Sequence, residues 1–167
     1  MMKPIDIEER VEKAKKLFKD GGYNCCQAVV LAYNDLFDID DQMAAALSSG
    51  FGGGMGRMRE VCGSVSGMVM LAGMLLPATD PDNKDWRTAN YALVQELAGK
   101  FREKNGSIVC KELLGLVPMG SGQNAAKESP VPSDRTPEYY KKRPCEELVG
   151  ISARIFGEKI VEMEKDN

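Results

Sequence analysis

The sequence predicts an all-α fold: a single-domain helical bundle of about six to seven helices with two buried central helices. Three observations lead there. Apolar residues recur at helical spacing along nearly all of the 167 residues. No stretch alternates convincingly enough for a strand. Two segments, 25–37 and 60–76, are apolar on every side, as a helix enclosed by others must be.

The elements follow in order. Ile7, Val11, Ala14 and Phe18 make the stripe of a first helix, which Gly21-Gly22 end. Asn24 reads as the N-cap of a second over 25–37, with Ala28, Val29, Val30, Leu31 and Ala32 filling its faces. Asp40 or Asp41 caps a short third helix over 43–47. Five glycines in 50–56 break the pattern before a fourth helix over 60–76, which Pro77 stops. Trp86, Ala89, Leu93, Val94, Leu97 and Phe101 form the fifth stripe, ended by Asn105-Gly106. Ser107 caps a short sixth helix that carries Cys110 and stops at Gly115. A long irregular loop at about 116–143 holds Pro118, Pro130, Pro132 and Pro137; loops of this length are disordered, or serve as lids or binding loops. Pro144 opens the last helix, which runs to about 164 through Leu148, Ile151, Ile155 and Ile160. With no repeat and no boundary, 1–167 reads as one domain.

Composition narrows the function. The 43% apolar and 28% charged shares are those of an ordinary globular chain. A net charge of −3 leaves no electrostatic footprint for nucleic acid. Met1-Met2-Lys3-Pro4-Ile5-Asp6 lacks the apolar core of a secretory signal, so a reducing cytoplasm is expected. The most apolar stretch, 61–78, contains Ser64 and Ser66 and meets Pro77 before reaching the roughly 20 residues of a spanning helix. A buried helix is expected there, not an integral membrane protein.

Five cysteines and no histidine then decide what chemistry is open. The usual general base and the commonest nitrogen ligand are both missing, so sulfur and carboxylate must do the work. Cys25 follows the cap Asn24, Cys62 falls in the first turn of the fourth helix, Cys110 follows Ser107, and Cys145 follows Pro144. All four are predicted at helix starts, where unpaired N–H groups and the macrodipole favour a thiolate. Arg57 and Arg59 precede Cys62, Lys111 follows Cys110, and Lys141 to Arg143 precede Cys145. Thiolates attack disulfides and bind soft metals. Cysteine also fills cores as a small hydrophobe, and that reading stays open. Gaps of 37, 48 and 35 residues separate the four, with no C-x-x-C, so any shared site must be assembled by the tertiary fold. Cys26 is the odd thiol; a vicinal disulfide with Cys25 would be strained, and one of the pair is expected to face the core.

The glycine run Gly52, Gly53, Gly54 and Gly56 can wrap an anion with backbone N–H groups, helped by Arg57 and Arg59, or simply turn the chain. It does not match a phosphate-binding P-loop. Gly63 and Gly67 clear one face of the fourth helix, so another backbone or a cofactor can approach beside Cys62. Glu60 could move a proton near Cys62, while Glu146 and Glu147 suit the start of the last helix. Tyr139 and Tyr140 anchor a lid or pack the loop down.

Asn24-Cys25, the Phe51-Gly52-Gly53-Gly54-Met55-Gly56 run, Cys62-Gly63-Ser64-Val65-Ser66-Gly67, Gly106-Ser107-Ile108-Val109-Cys110 and Cys145 together resemble the C-GCAxxG-C-C family of putative redox-active proteins. The resemblance covers nearly the whole chain in the right order. It implies that the family cysteines are Cys25, Cys62, Cys110 and Cys145. Ser64 replaces the usual alanine of C-G-A-x-x-G, and Cys26 stands where alanine often follows the first cysteine. The family looks related to the N-terminal region of split-Soret cytochromes, which implies electron transfer and an iron–sulfur cluster; no haem attachment motif is present.

Three readings result. Cys25, Cys62, Cys110 and Cys145 ligate an iron–sulfur cluster or cycle between dithiol and disulfide, with an unknown redox partner. Alternatively the same four cysteines hold a structural zinc ion in a non-catalytic module. In the third, no metal is bound, the cysteines pack, and the glycine loop binds a ligand or partner. Self-association into a homo-oligomer stays open.

Overall fold

A computed structural model describes residues 4–167. Residues 1–3, part of the stretch read for a secretory signal, lie outside the described residues. Eight helices make up the fold among the described residues: α1 (Ile7–Lys19), α2 (Cys25–Leu31), α3 (Asp41–Ser48), α4 (Gly63–Leu75), α5 (Lys84–Asn105), α6 (Cys110–Leu113), α7 (Pro137–Lys142) and α8 (Cys145–Lys165). The chain is all-α, as the periodicity predicts. Its one β-feature among the described residues is an isolated antiparallel bridge between Val61 and Val109.

Polar side chains cap several of the helix starts, Asn24 and Asp40 among them as expected. Asp6, Asn24, Asp40 and Asn83 each accept a hydrogen bond from a first-turn N–H, and Asn24 forms a full capping box with Gln27. Gly106 closes α5 in the left-handed conformation. The α1 stripe of Val11, Ala14 and Phe18 is buried, and α1 packs along α8.

α2 and α4 are the central helices. α2 buries Cys26, Ala28, Val29, Val30 and Leu31 because α4, α1 and α8 cover it on some sides and α3 on another. α4 also packs on α5 and α8. Gly67 allows the α2–α4 approach: a Cβ there would lie 2.8 Å from Val29 Cβ. The main core runs from Phe18 through Met68 and Phe101 to Phe156, all nearly unexposed. Tyr33 donates a 2.6 Å hydrogen bond from its hydroxyl to the Ala153 carbonyl and meets Phe156 edge-on at 5.0 Å.

Several expected boundaries shift, each for a tertiary reason. The second helix stops at Leu31 rather than 37. Asn34 donates to the carbonyl of Ile39 and the carboxylate of Asp41, which winds 34–37 into a 3₁₀ turn instead. The fourth helix begins at Gly63, not 60, because 60–62 runs extended against 108–110. Val109, not Ser107, is the N-cap of α6; the Ser107 hydroxyl accepts from Val109 N–H at 2.9 Å. Pro144 precedes the last helix as its N-cap instead of opening it. The long loop contains α7, capped by Thr136 with Pro137 at its first position. Trp86 leaves the fifth stripe and is 48% exposed.

Candidate functional site

Four helix starts meet in one place. Cys25 is the first residue of α2, Cys62 the N-cap of α4, Cys110 the first residue of α6 and Cys145 the first of α8. All four line a single cavity of about 60 Å³. One buried water needs roughly 10–15 Å³ of such space, so this is room for a small group rather than a packing defect.

Two devices bring the sulfurs together. The bridge between 60–62 and 108–110 is a backbone clasp: Cys62 N–H donates to Ile108 O at 2.8 Å and Cys110 N–H to Glu60 O at 2.6 Å. It sets the Cys62 and Cys110 backbones side by side across a gap of 48 residues. Glycine does the rest. A Cβ at Gly63 would overlap the Cys25 sulfur, and one at Gly54 would lie 2.7 Å from Cys110 Cβ.

The glycine run folds as a turn that spends part of its hydrogen-bonding capacity on itself. Gly53, Gly54, Met55, Gly56 and Arg57 all have positive φ, a left-handed turn in which the N–H groups of Gly56, Arg57, Arg59 and Glu60 donate to the carbonyls of Gly50, Gly52, Gly53 and Gly54. Those donors are consumed internally. Gly53 N–H instead serves Cys25, where it favours the thiolate.

Burial overrides the helix ends. Loss of solvent pushes the thiols of Cys25, Cys62 and Cys110 above their ordinary range and that of Cys145 up to about 12. The neighbouring Cys25 sulfur adds to the rise at Cys62, Cys110 and Cys145, because a second negative charge in the cavity is disfavoured. Opposing pulls come from Ser64 on Cys62, Arg59 on Cys110 and Arg143 on Cys145. The expectation that helix starts lower all four thiols is therefore corrected: desolvation is the larger effect, and α6 is a single turn with little dipole.

Polar partners are specific. The Cys62 sulfur lies 3.0 Å from the Ser64 hydroxyl, and Arg59 Nη1 donates toward the Cys110 sulfur at 3.8 Å. Arg59 thus serves Cys110, 51 residues on, rather than the nearby Cys62. Arg59, Arg135 and Arg143 all line the cavity, with Phe18, Tyr139 and Leu148 as part of its apolar wall. Arg135 donates to Phe18 O and Tyr23 O at 3.2 Å each and lies 4.4 Å over the Phe18 ring. Arg135 and Glu128, which pairs with Arg59, went unmarked in the sequence because an irregular proline-rich segment gives no periodic cue.

Other candidates lie elsewhere. Cys26 is fully buried and faces Met70 Sδ at 3.8 Å, as expected for the core-facing partner of the vicinal pair. Glu60 pairs with Lys111 at 3.6 Å, outside the cavity lining. Glu147 pairs with Lys15 at 3.3 Å. Among the described residues, no three Cys, Asp or Glu side chains stand close enough together to hold one metal ion.

The family model of the "Putative redox-active protein (C_GCAxxG_C_C)" matches residues 23–159, which includes all four cavity cysteines. The chain belongs to this family. No curated protein and no solved structure matches it. For this C_GCAxxG_C_C chain the matched region starts just before the α2 cap and ends within α8, so it spans every element that carries a cavity cysteine. No helix among the described residues is long and apolar enough to cross a membrane.

Proposed function

We propose that this chain is a redox protein in which Cys25, Cys62, Cys110 and Cys145 act as one unit, the ligand set of an iron–sulfur cluster in electron transfer. The observation that carries the reading is their convergence on one cavity from four separate helix starts. The donor set fits: four thiolates are the usual ligands of such clusters. A structural zinc ion on the same four sulfurs is the alternative, and among the described residues no three Cys, Asp or Glu side chains stand close enough together to hold one ion. A bound cluster would supply one-electron transfer at this position. The chain's own residues provide the setting. Arg59, Arg135 and Arg143 bring positive charge to offset four thiolates, and Phe18, Tyr139 and Leu148 exclude water. A reducing compartment such as the cytoplasm would keep the thiols free for assembly.

Dithiol exchange is the second reading, in which two thiols pass two electrons and two protons to a partner disulfide, which is reduced to two thiols while the pair here becomes one disulfide. The partial exposure of Cys25 and Cys145 favours it, since exchange needs an accessible sulfur. Anaerobic purification followed by iron, acid-labile sulfide and zinc analysis separates the cases. Stoichiometric iron and sulfide support the cluster. A metal-free protein with fast-reacting thiols supports dithiol exchange, and a metal-free protein whose thiols react only after denaturation sinks both.

A further inference from the structure

The segment 116–136 between α6 and α7 is tied down at both ends, by Gly120 N–H on Glu112 and by Arg135 on the Phe18 and Tyr23 carbonyls, and only lightly between them. Between Gln123 and Asp134, among the described residues, every hydrogen bond to another element ends on one of two guanidinium groups. Arg57 donates from Nε to Ser129 O at 2.9 Å, from Nη1 to Ser133 Oγ at 3.2 Å and from Nη2 to Glu128 Oε1 at 3.2 Å. Arg59 donates from Nη2 to Glu128 Oε1 at 3.0 Å and from Nε to Oε2. One carboxylate therefore sits between two guanidinium groups. The third Arg59 nitrogen, Nη1, points at the Cys110 sulfur.

We propose that Arg57 and Arg59 form an anion subsite beside the four-cysteine cavity, that Glu128 fills it as an internal latch, and that a small carboxylate- or oxyanion-bearing ligand takes its place and releases the strap. Two features show a built site. Both arginines are held at positive φ, 67° and 61°, a conformation that any residue but glycine adopts at a cost. That strain aims two side chains from one turn at a single point. Arg59 is also only 4% exposed. If the strap lifted alone, a buried cation would lose its carboxylate partner, which is strongly unfavourable. Release is therefore an exchange of one anion for another. Planar guanidinium forks suit carboxylates and oxyanions alike. The link to redox chemistry rests on the four-cysteine reading, since the exchanged anion would lie one guanidinium away from Cys110; the subsite itself stands on the arginine geometry.

The test uses inorganic phosphate and the trypsin site after Lys127, which is exposed and adjoins the latch residue. Phosphate should speed cleavage after Lys127 several-fold in the unaltered protein, while sodium chloride at equal ionic strength should not. Glu128→Gln should be cut at the fast rate without phosphate and should bind phosphate by calorimetry. Adding Arg57→Gln to Glu128→Gln should weaken that binding about tenfold, the loss of one charge-assisted contact. Where Glu128→Gln fails to fold, Glu128→Asp loosens the same latch and should shift cleavage in the same direction. The proposal is overturned if phosphate leaves cleavage of the unaltered protein unchanged, or if a folded Glu128→Gln takes up no phosphate. Neither readout uses a cysteine, so iron and sulfide analysis can fail while the latch stands, and the reverse.

Discussion

Gly63 sets how closely Cys25 approaches the start of α4, because a side chain there would meet the Cys25 sulfur and lie 2.8 Å from Phe51 O. Backbone cannot yield as a flexible side chain can. Gly63→Ala should lower the unfolding free energy by about 1–3 kcal/mol in a urea titration, the range for overpacking a filled site. The vicinal cysteines give a sharper contrast. Cys25 lines the cavity while Cys26 faces Met70 away from it. On the cluster reading, iron and sulfide content should therefore survive Cys26→Ala and disappear in Cys25→Ala. Equal loss in both would remove the distinction drawn between them.

Elements decide which residues become neighbours. The left-handed turn at 53–57 and the bridge at Val61 work as one unit, since Glu60 donates its N–H to Gly54 and accepts from Cys110 at its carbonyl. Gly54→Ala would combine an unfavourable positive φ of 69° with a Cβ 2.7 Å from Cys110 Cβ. It should cost about 2–4 kcal/mol by denaturant unfolding, where a glycine in open space such as Gly73 would tolerate alanine. At the other end of the bundle, Arg10 Nη2 bonds Asp35 Oδ2 at 2.9 Å and ties α1 to the 3₁₀ turn after α2. The hydrogen bond from Arg10 holds the Asp35 carboxyl below its usual range. Its contribution is present above about pH 4 and is lost as pH falls through the folded value. Asp35 is 52% exposed, so the effect should stay under about 1 kcal/mol. Thermal melts of Asp35→Asn should show a shallower loss of stability between about pH 5 and about pH 3 than the unaltered chain.

At the scale of the molecule the site and the core are continuous. Cys62 belongs to the same buried cluster as Met68, Phe101 and Phe156, and Cys25 and Cys145 pack against it. The cavity should therefore open with global unfolding rather than before it. Phe156→Ala removes a ring with no exposed surface and should cost about 3–5 kcal/mol. Reaction of Cys62 with a thiol reagent should accelerate in step with that loss, because both report one cooperative opening. Reaction that stays slow while stability falls would mean the cavity is shielded independently of the core.

Much of this was legible in the residues themselves. The all-α class, the caps Asn24 and Asp40, and the placement of four cysteines at helix starts all follow from signals that act within four residues. So does the choice of Cys26 as the odd thiol. What only the tertiary structure decided has a longer reach. It brought gaps of 37, 48 and 35 residues to one cavity, turned Arg59 toward Cys110, and set Glu128 between two arginines. It also reversed the expected protonation of the thiols. The physical reason is the same in each case. Helix caps and dipoles are local, whereas desolvation and ion pairing depend on every element packed around a group, and no stretch of sequence contains that sum.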